Sequence, residues 1–189
     1  GTLTVQQQTQ ENGQRIVTIG INDAVLELGT EAETLATASL AEGYLALLPA
    51  GAAGRMSVTL EADTEHFELT GTSHISFNTT DSPVNETIPT GNTTFDLSVD
   101  AGPRMTLQVG ESGNPATLTV LGQRLTGVYL LEQTTNGYGQ RQVRMAATEV
   151  ALSLGGDAVT VTDGSGYFLS NDAGIAGTLS ASVSAGGEG

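Results

Sequence analysis

The feature that most constrains this chain of 189 residues is that its first third returns as its last third. Gly13-Gln14-Arg15 recurs 126 positions later as Gly139-Gln140-Arg141. Gln7 and Thr9 return as Gln133 and Thr135, Val17 as Val143, and the run Leu26 to Gly29 as Leu152 to Gly155. After a three-residue difference in length, Gly43-Tyr44 recurs as Gly166-Tyr167, and Gly51 to Gly54 as Gly174 to Gly177. About one position in three is identical over roughly 60 residues, the signature of a repeat architecture. The segment between carries a fainter echo: Leu69-Thr70-Gly71 before Asn78-Thr79-Thr80 resembles Leu125-Thr126-Gly127 before Gln133-Thr134-Thr135. The expected organisation is half-unit B over 1–63, half-unit A over 64–126 and a second B over 127–189. Starting at Gly1 and ending in the run Ala185 to Gly189, the chain is expected to be a segment of a longer array.

The local periodicity is that of strands. Phe67, Leu69, Gly71, Ser73, Ile75 and Phe77 alternate with His66, Glu68, Thr70, Thr72, His74, Ser76 and Asn78, and a period of two places the sets on opposite faces of a sheet. Phe95, Leu97 and Val99 alternate in the same way with Thr94, Asp96, Ser98 and Asp100. Met105, Leu107 and Val109, the run Gly110 to Asn114, then Ala116, Leu118 and Val120 read as a hairpin, and Asn12-Gly13 and Asn136-Gly137 as equivalent turns. Val17, Ile19 and Ile21 have the opposite parity to Ala24, Leu26 and Leu28, and Val143, Met145 and Ala147 to Val150, Leu152 and Leu154. Such a slip at Asn22-Asp23 and Thr148-Glu149 calls for a bulge or a corner. Glu31 to Leu48 is rich enough in Ala and Leu for a helix, but its counterpart Asp157 to Ser170 is poor in helix formers, so strand is expected in both. The expected fold is all-β, an elongated, β-solenoid-like repeat architecture, with a tandem β-sandwich as the alternative.

Composition removes whole classes of function. Six basic residues, all Arg, against 21 acidic ones give a net charge of −15, a poor match for nucleic acid or anionic lipid. With no cysteine, disulfides, thiolate metal sites and thiol catalysis are excluded. The longest apolar run, Tyr44 to Ala53, is far below the roughly 20 residues of a spanning helix.

Candidate chemistry is sparse. His66 and His74 share a strand face but lie about 27 Å apart when extended, too far to chelate one ion. Asp96 and Asp100 lie about 13 Å apart, beyond a glycosidase pair, and Gly164-Ser165-Gly166 lacks the spacing of a nucleophile elbow. No catalytic residue is expected. Calcium is the one cofactor candidate: Asp163, Asn171 and Asp172 sit in oxygen-rich stretches read as turns. In the other copy Leu40, Leu48 and Pro49 replace them, whereas Gly43, Gly51 and Gly54 are kept. Gly13, Gly43, Gly51 and Gly54, with Gly139, Gly166, Gly174 and Gly177, are accordingly expected to be structural turn positions. Asn78, Asn85 and Asn92 head three Asn-x-Thr sequons, which would carry surface glycan in a secreted eukaryotic protein.

The stretch 166–181, preceded by 143–155 and joined by Pro83 to Ile88 and Gly102 to Met105, resembles the tandem repeats of giant bacterial surface and adhesin-like proteins. The resemblance implies a secreted, very long, repeat-built protein of the cell surface that serves adhesion or surface coating. It carries no catalytic residues over. Because units of short alternating strands cannot close their own sheet edges, a non-catalytic structural repeat of an extracellular filament or adhesin stalk that self-associates or stacks end to end is expected. The chain lacks the Gly-Gly-x-Gly-x-Asp repeat of calcium-binding β-rolls. A calcium-dependent or glycan-binding module displayed on such an array is the alternative.

Overall fold

The computed structural model describes residues 1–9, 13–29, 34–64, 67–89, 94–135, 139–156, 158–171 and 173–186. His66, Asn92, Asp172, Asn12, Asn136 and Gly137, all singled out above, lie outside them. The described residues form strands and no helix. They are β1 (Thr2–Thr9), β2 (Arg15–Gly29), β3 (Thr34–Leu48), β4 (Gly51–Thr64), β5 (Phe67–Asn78), β6 (Val84–Pro89) and β7 (Thr94–Val99). After them come β8 (Arg104–Val109), β9 (Ala116–Val120), β10 (Gln123–Thr135), β11 (Arg141–Leu154), β12 (Val159–Asn171) and β13 (Gly174–Ala185). The segment suspected of helical character is thus strand β3, and its counterpart is β12.

Eleven strands make one antiparallel sheet in the order β1-β2-β3-β4-β5-β8-β10-β11-β12-β13, with β9 also placed between β5 and β10. β8 and β9 do not form the expected hairpin. Both run antiparallel to the same neighbours, β8 opposite Ser73–Asn78 and Tyr129–Thr134, β9 opposite Phe67–Thr70 and Gln123–Gly127. They are one lane interrupted by the excursion 110–115, in which Glu111 and Asn114 exchange backbone hydrogen bonds. Alternation identifies strands but not their partners. Among the described residues the sheet is open: β1 pairs only with β2 and β13 only with β12.

The sequence repeat is also a repeat of register. Thr9 faces Arg15 as Thr135 faces Arg141, Gly20 faces Tyr44 as Ala146 faces Tyr167, and Ala36 faces Ala62 as Val159 faces Ala185. The four-stranded meander β1–β4 is built again as β10–β13. The parity slips are not corners, because β2 and β11 continue through them. Asp23 and Glu149 both take a left-handed φ of 54°, and at Glu149 the register also shifts, as at a bulge. One left-handed residue resets the alternation, so the apolar residues on either side of it stay on one face.

Strands β6 and β7 form a separate hairpin laid on the other face, over β3 and β4. There Val84, Ile88, Leu97 and Val99 meet Tyr44, Ala46 and Ala53 in the main core cluster, and the Tyr44 and Phe95 rings stack at 3.6 Å and 5°. Elsewhere the sheet is thinly covered. Its accessible surface, 11626 Å², is well above the roughly 8,500 Å² of a compact monomer of 19.3 kDa.

Candidate functional site

The residues singled out in the sequence do not converge. Asp163 is not in a turn: it lies inside β12 at a bulge, with φ 53°. Asn171 is at the far end of the same strand, eight residues or roughly 26 Å away. Its Oδ1 accepts a hydrogen bond from the Ala173 amide, closing the β12–β13 connection. Asp163 and Asn171 therefore cannot share one cation. Among the described residues no three His, Asp or Glu side chains cluster with metal-binding geometry.

His74 does more than face solvent: its Nε2 lies 2.7 Å from Glu111 Oε1, tying β5 to the excursion between β8 and β9. A second tie comes from Glu149, which accepts from Ser112 Oγ at 2.7 Å and from the Gly113 amide at 3.2 Å. These two donors hold its carboxyl below the usual range. Asp96 accepts from Thr87 Oγ1 across the β6–β7 hairpin, and Asp100 pairs with Arg104 at 2.7 Å. Arg104 also pairs with Glu132, which takes Arg144 as a further partner. A charge row thus crosses β8, β10 and β11.

The glycines divide into two kinds. Gly13 and Gly139 lie in the loops before β2 and β11, and Gly51 and Gly174 open β4 and β13 just past their turns. All four have positive φ, 78°, 76°, 148° and 135°. Gly43, Gly54, Gly166 and Gly177 are not turn residues; they lie within β3, β4, β12 and β13. At two of them the requirement is a close approach. A Cβ on Gly54 would fall 2.8 Å from the Phe77 ring and 2.9 Å from the Tyr44 carbonyl oxygen, and one on Gly177 would strike Phe168. Gly54→Val is expected to destabilise by about 1–3 kcal/mol through overpacking, whereas Gly177→Val, also tight against the Tyr167 carbonyl oxygen but on the exposed edge strand β13, which is free to shift, costs less. Paired chemical melts check the order; equal melts would remove the packing role assigned to Gly54.

Asn78, which heads one of the three sequons, is fully buried in the fold. Its Nδ2 donates to the Ser82 and Asp100 carbonyls at 2.8 Å each, and its Oδ1 accepts from the Thr80 amide and hydroxyl. All its polar capacity is used in clamping both ends of the β6–β7 excursion to β5. Asn85 is exposed, with its Oδ1 accepting from Ser98 Oγ.

The arrangement of these side chains ties strands and loops to one another, and among the described residues it gathers no three metal-binding groups. What it offers instead is a pair of free sheet edges and an apolar face. No family model, curated protein or solved structure matches this chain. The geometry alone carries the functional argument.

The edges differ from the interior in one telling respect. Leu3 and Val5 on β1 are 65% and 60% exposed, while their repeat counterparts Tyr129 and Leu131 are half-buried between β8 and β11. Ile175, Leu179 and Val183 on β13 are exposed, while Ala52, Met56 and Leu60 on β4 are half-buried beside β5. Natural edge strands are usually blunted by charge, proline or bulges. β1 contains no charged residue and no proline, and neither does β13.

Proposed function

We propose that this chain is a non-catalytic structural repeat of an extracellular filament or adhesin stalk, an elongated and solenoid-like array whose β units stack end to end. The observation that carries this reading is the duplicated meander: the same residues pair in the same register in β1–β4 and β10–β13. A sheet built from equivalent four-lane blocks joined by the β5 and β8/β9 lanes has no intrinsic end, because every block presents the edge that the next one needs. The net charge of −15 keeps such an array soluble and spaces neighbouring arrays apart. Length, stiffness and an acidic surface are then the function, with neighbouring repeats as the partners.

A calcium-dependent or glycan-directed module makes a different demand. A ligand that binds only the folded state raises its stability by RT ln(1 + [L]/Kd), about 2.7 kcal/mol at a hundredfold excess over Kd. Thermal melts in millimolar calcium, in chelator and with a panel of soluble glycans are expected to superimpose. A calcium- or sugar-dependent rise of several degrees would replace the structural reading with the binding one.

A further inference from the structure

We propose that β13 of one copy of this chain docks β1 of a second copy in an antiparallel pairing, with Val5 opposite Leu179 and Leu3 opposite Ala181. The proposal rests on the structural-repeat reading and adds to it a partner, a surface and a register.

The direction of the strands permits the contact. Adjacent lanes alternate along the whole sheet, and β1 and β13 are the first and last of ten lanes, so they point in opposite senses. A β13–β1 contact therefore continues the alternation, and being heterologous it propagates into an open filament.

The register follows from pairings already present inside the molecule. β5 and β10 flank the β8 lane as equivalents: Ile75 and Leu131 both face Leu107, and Phe77 and Gln133 both face Met105. Through the sequence repeat, Leu131 and Gln133 correspond to Val5 and Gln7, so β1 belongs to the same class of strand as β5. β13 is the counterpart of β4, with Leu179 in the place of Met56 and Gly177 in the place of Gly54. Since Met56 faces Ile75 and Gly54 faces Phe77, Leu179 faces Val5 and Gly177 faces Gln7 in the new contact. In that register Leu3, Val5, Ile175, Leu179 and Val183 all fall on one face, with Val5 and Leu179, and Leu3 and Ala181, as apolar cross-strand pairs, and with Ile175 opposite Thr9 and Val183 opposite Gly1. A slip of one residue would send the two apolar sets to opposite faces.

A second copy fits these edges better than a charged or strongly polar partner would. Both strands are uncharged in a chain of net charge −15, so the two rims approach each other without the repulsion that the rest of the surface would impose. Backbone groups free along each rim supply the affinity, as in other strand additions.

The chain has no cysteine, so an engineered pair reports the contact cleanly. Val5→Cys/Leu179→Cys replaces two exposed side chains on opposite edges, too far apart to join within one molecule. Under mild oxidation it is expected to yield a ladder of dimers, trimers and longer species on non-reducing gels, linked between residues 5 and 179 by peptide mapping. The displaced pair Val5→Cys/Val183→Cys, about 13 Å out of register, is expected to give several-fold less, since a disulfide tolerates Cα atoms no more than about 7 Å apart. Circular dichroism of the reduced variants checks that both keep the native sheet. No ladder from folded protein, or equal ladders from the two pairs, would overturn the proposal. The structural-repeat reading is tested separately, by elongation of covalently joined units, and would survive that failure.

Discussion

Replacing Tyr44 by alanine is expected to destabilise the protein by about 3–5 kcal/mol, whereas Tyr167→Ala at the equivalent place in the second copy costs less than about 1 kcal/mol. The two tyrosines occupy the same position of the same meander, opposite Gly20 and Ala146. Their surroundings differ. Tyr44 is 7% exposed, stacked on Phe95 and enclosed by the β6–β7 hairpin, while Tyr167 is 45% exposed. The phenol of Tyr44 is also held above its usual pKa, first by burial and then by Glu42 beside it. Equilibrium urea unfolding of the two variants measures the contrast. Equal losses would mean that the hairpin contributes no core and that the meander is stabilised by its ladders alone.

Asn78→Ala is the second large effect expected, a loss of about 2–4 kcal/mol, because a buried group left without its partner costs about 1–3 kcal/mol. The substitution strands the Asp100 carbonyl and the Thr80 amide, whereas the Ser82 carbonyl keeps the Thr80 hydroxyl as a donor. It also loosens Gly102, whose amide donates to the Thr80 carbonyl. Asn78→Asp keeps the acceptor but loses both Nδ2 donors, and is expected to destabilise too, whereas Asn85→Ala on the exposed side of β6 stays within about 0.5 kcal/mol. Unfolding midpoints decide this, and an unchanged Asn78→Ala midpoint would show that the excursion is held by its apolar contacts alone.

Much of the fold was legible in the sequence because repetition and period-two alternation are local, countable signals. The copy beginning at Gly13-Gln14-Arg15 and the parity slips at Asp23 and Glu149 read directly into equivalent registers and equivalent left-handed residues. Partner choice was not legible. Met105–Val109 and Ala116–Val120 carry the pattern of a hairpin, and only the fold shows that β5 and β10 flank both, collinear in one lane. The echo between Leu69-Thr70-Gly71 and Leu125-Thr126-Gly127 was the available clue, since it marks the two strands that play the same part on either side. Glycine recurrence was equally ambiguous. Gly51 and Gly174 recur for a turn, Gly54 and Gly177 because an aromatic ring lies against the backbone, and a sequence shows both as a conserved letter between its own copies. Asn78 had no distinguishing signal, for a sequon and a buried clamp are written with the same three residues.

The central claim is that the sheet grows by whole blocks of lanes. Joining one, then two, further copies of residues 64–186 in frame after Gly186 adds six lanes each time, so at about 4.8 Å per lane each copy lengthens the particle by about 29 Å at constant width. Electron microscopy of the three chains measures this increment. Equal steps near that value are the result expected of a structural array; particles that widen or fold back into a compact body as units are added would contradict it.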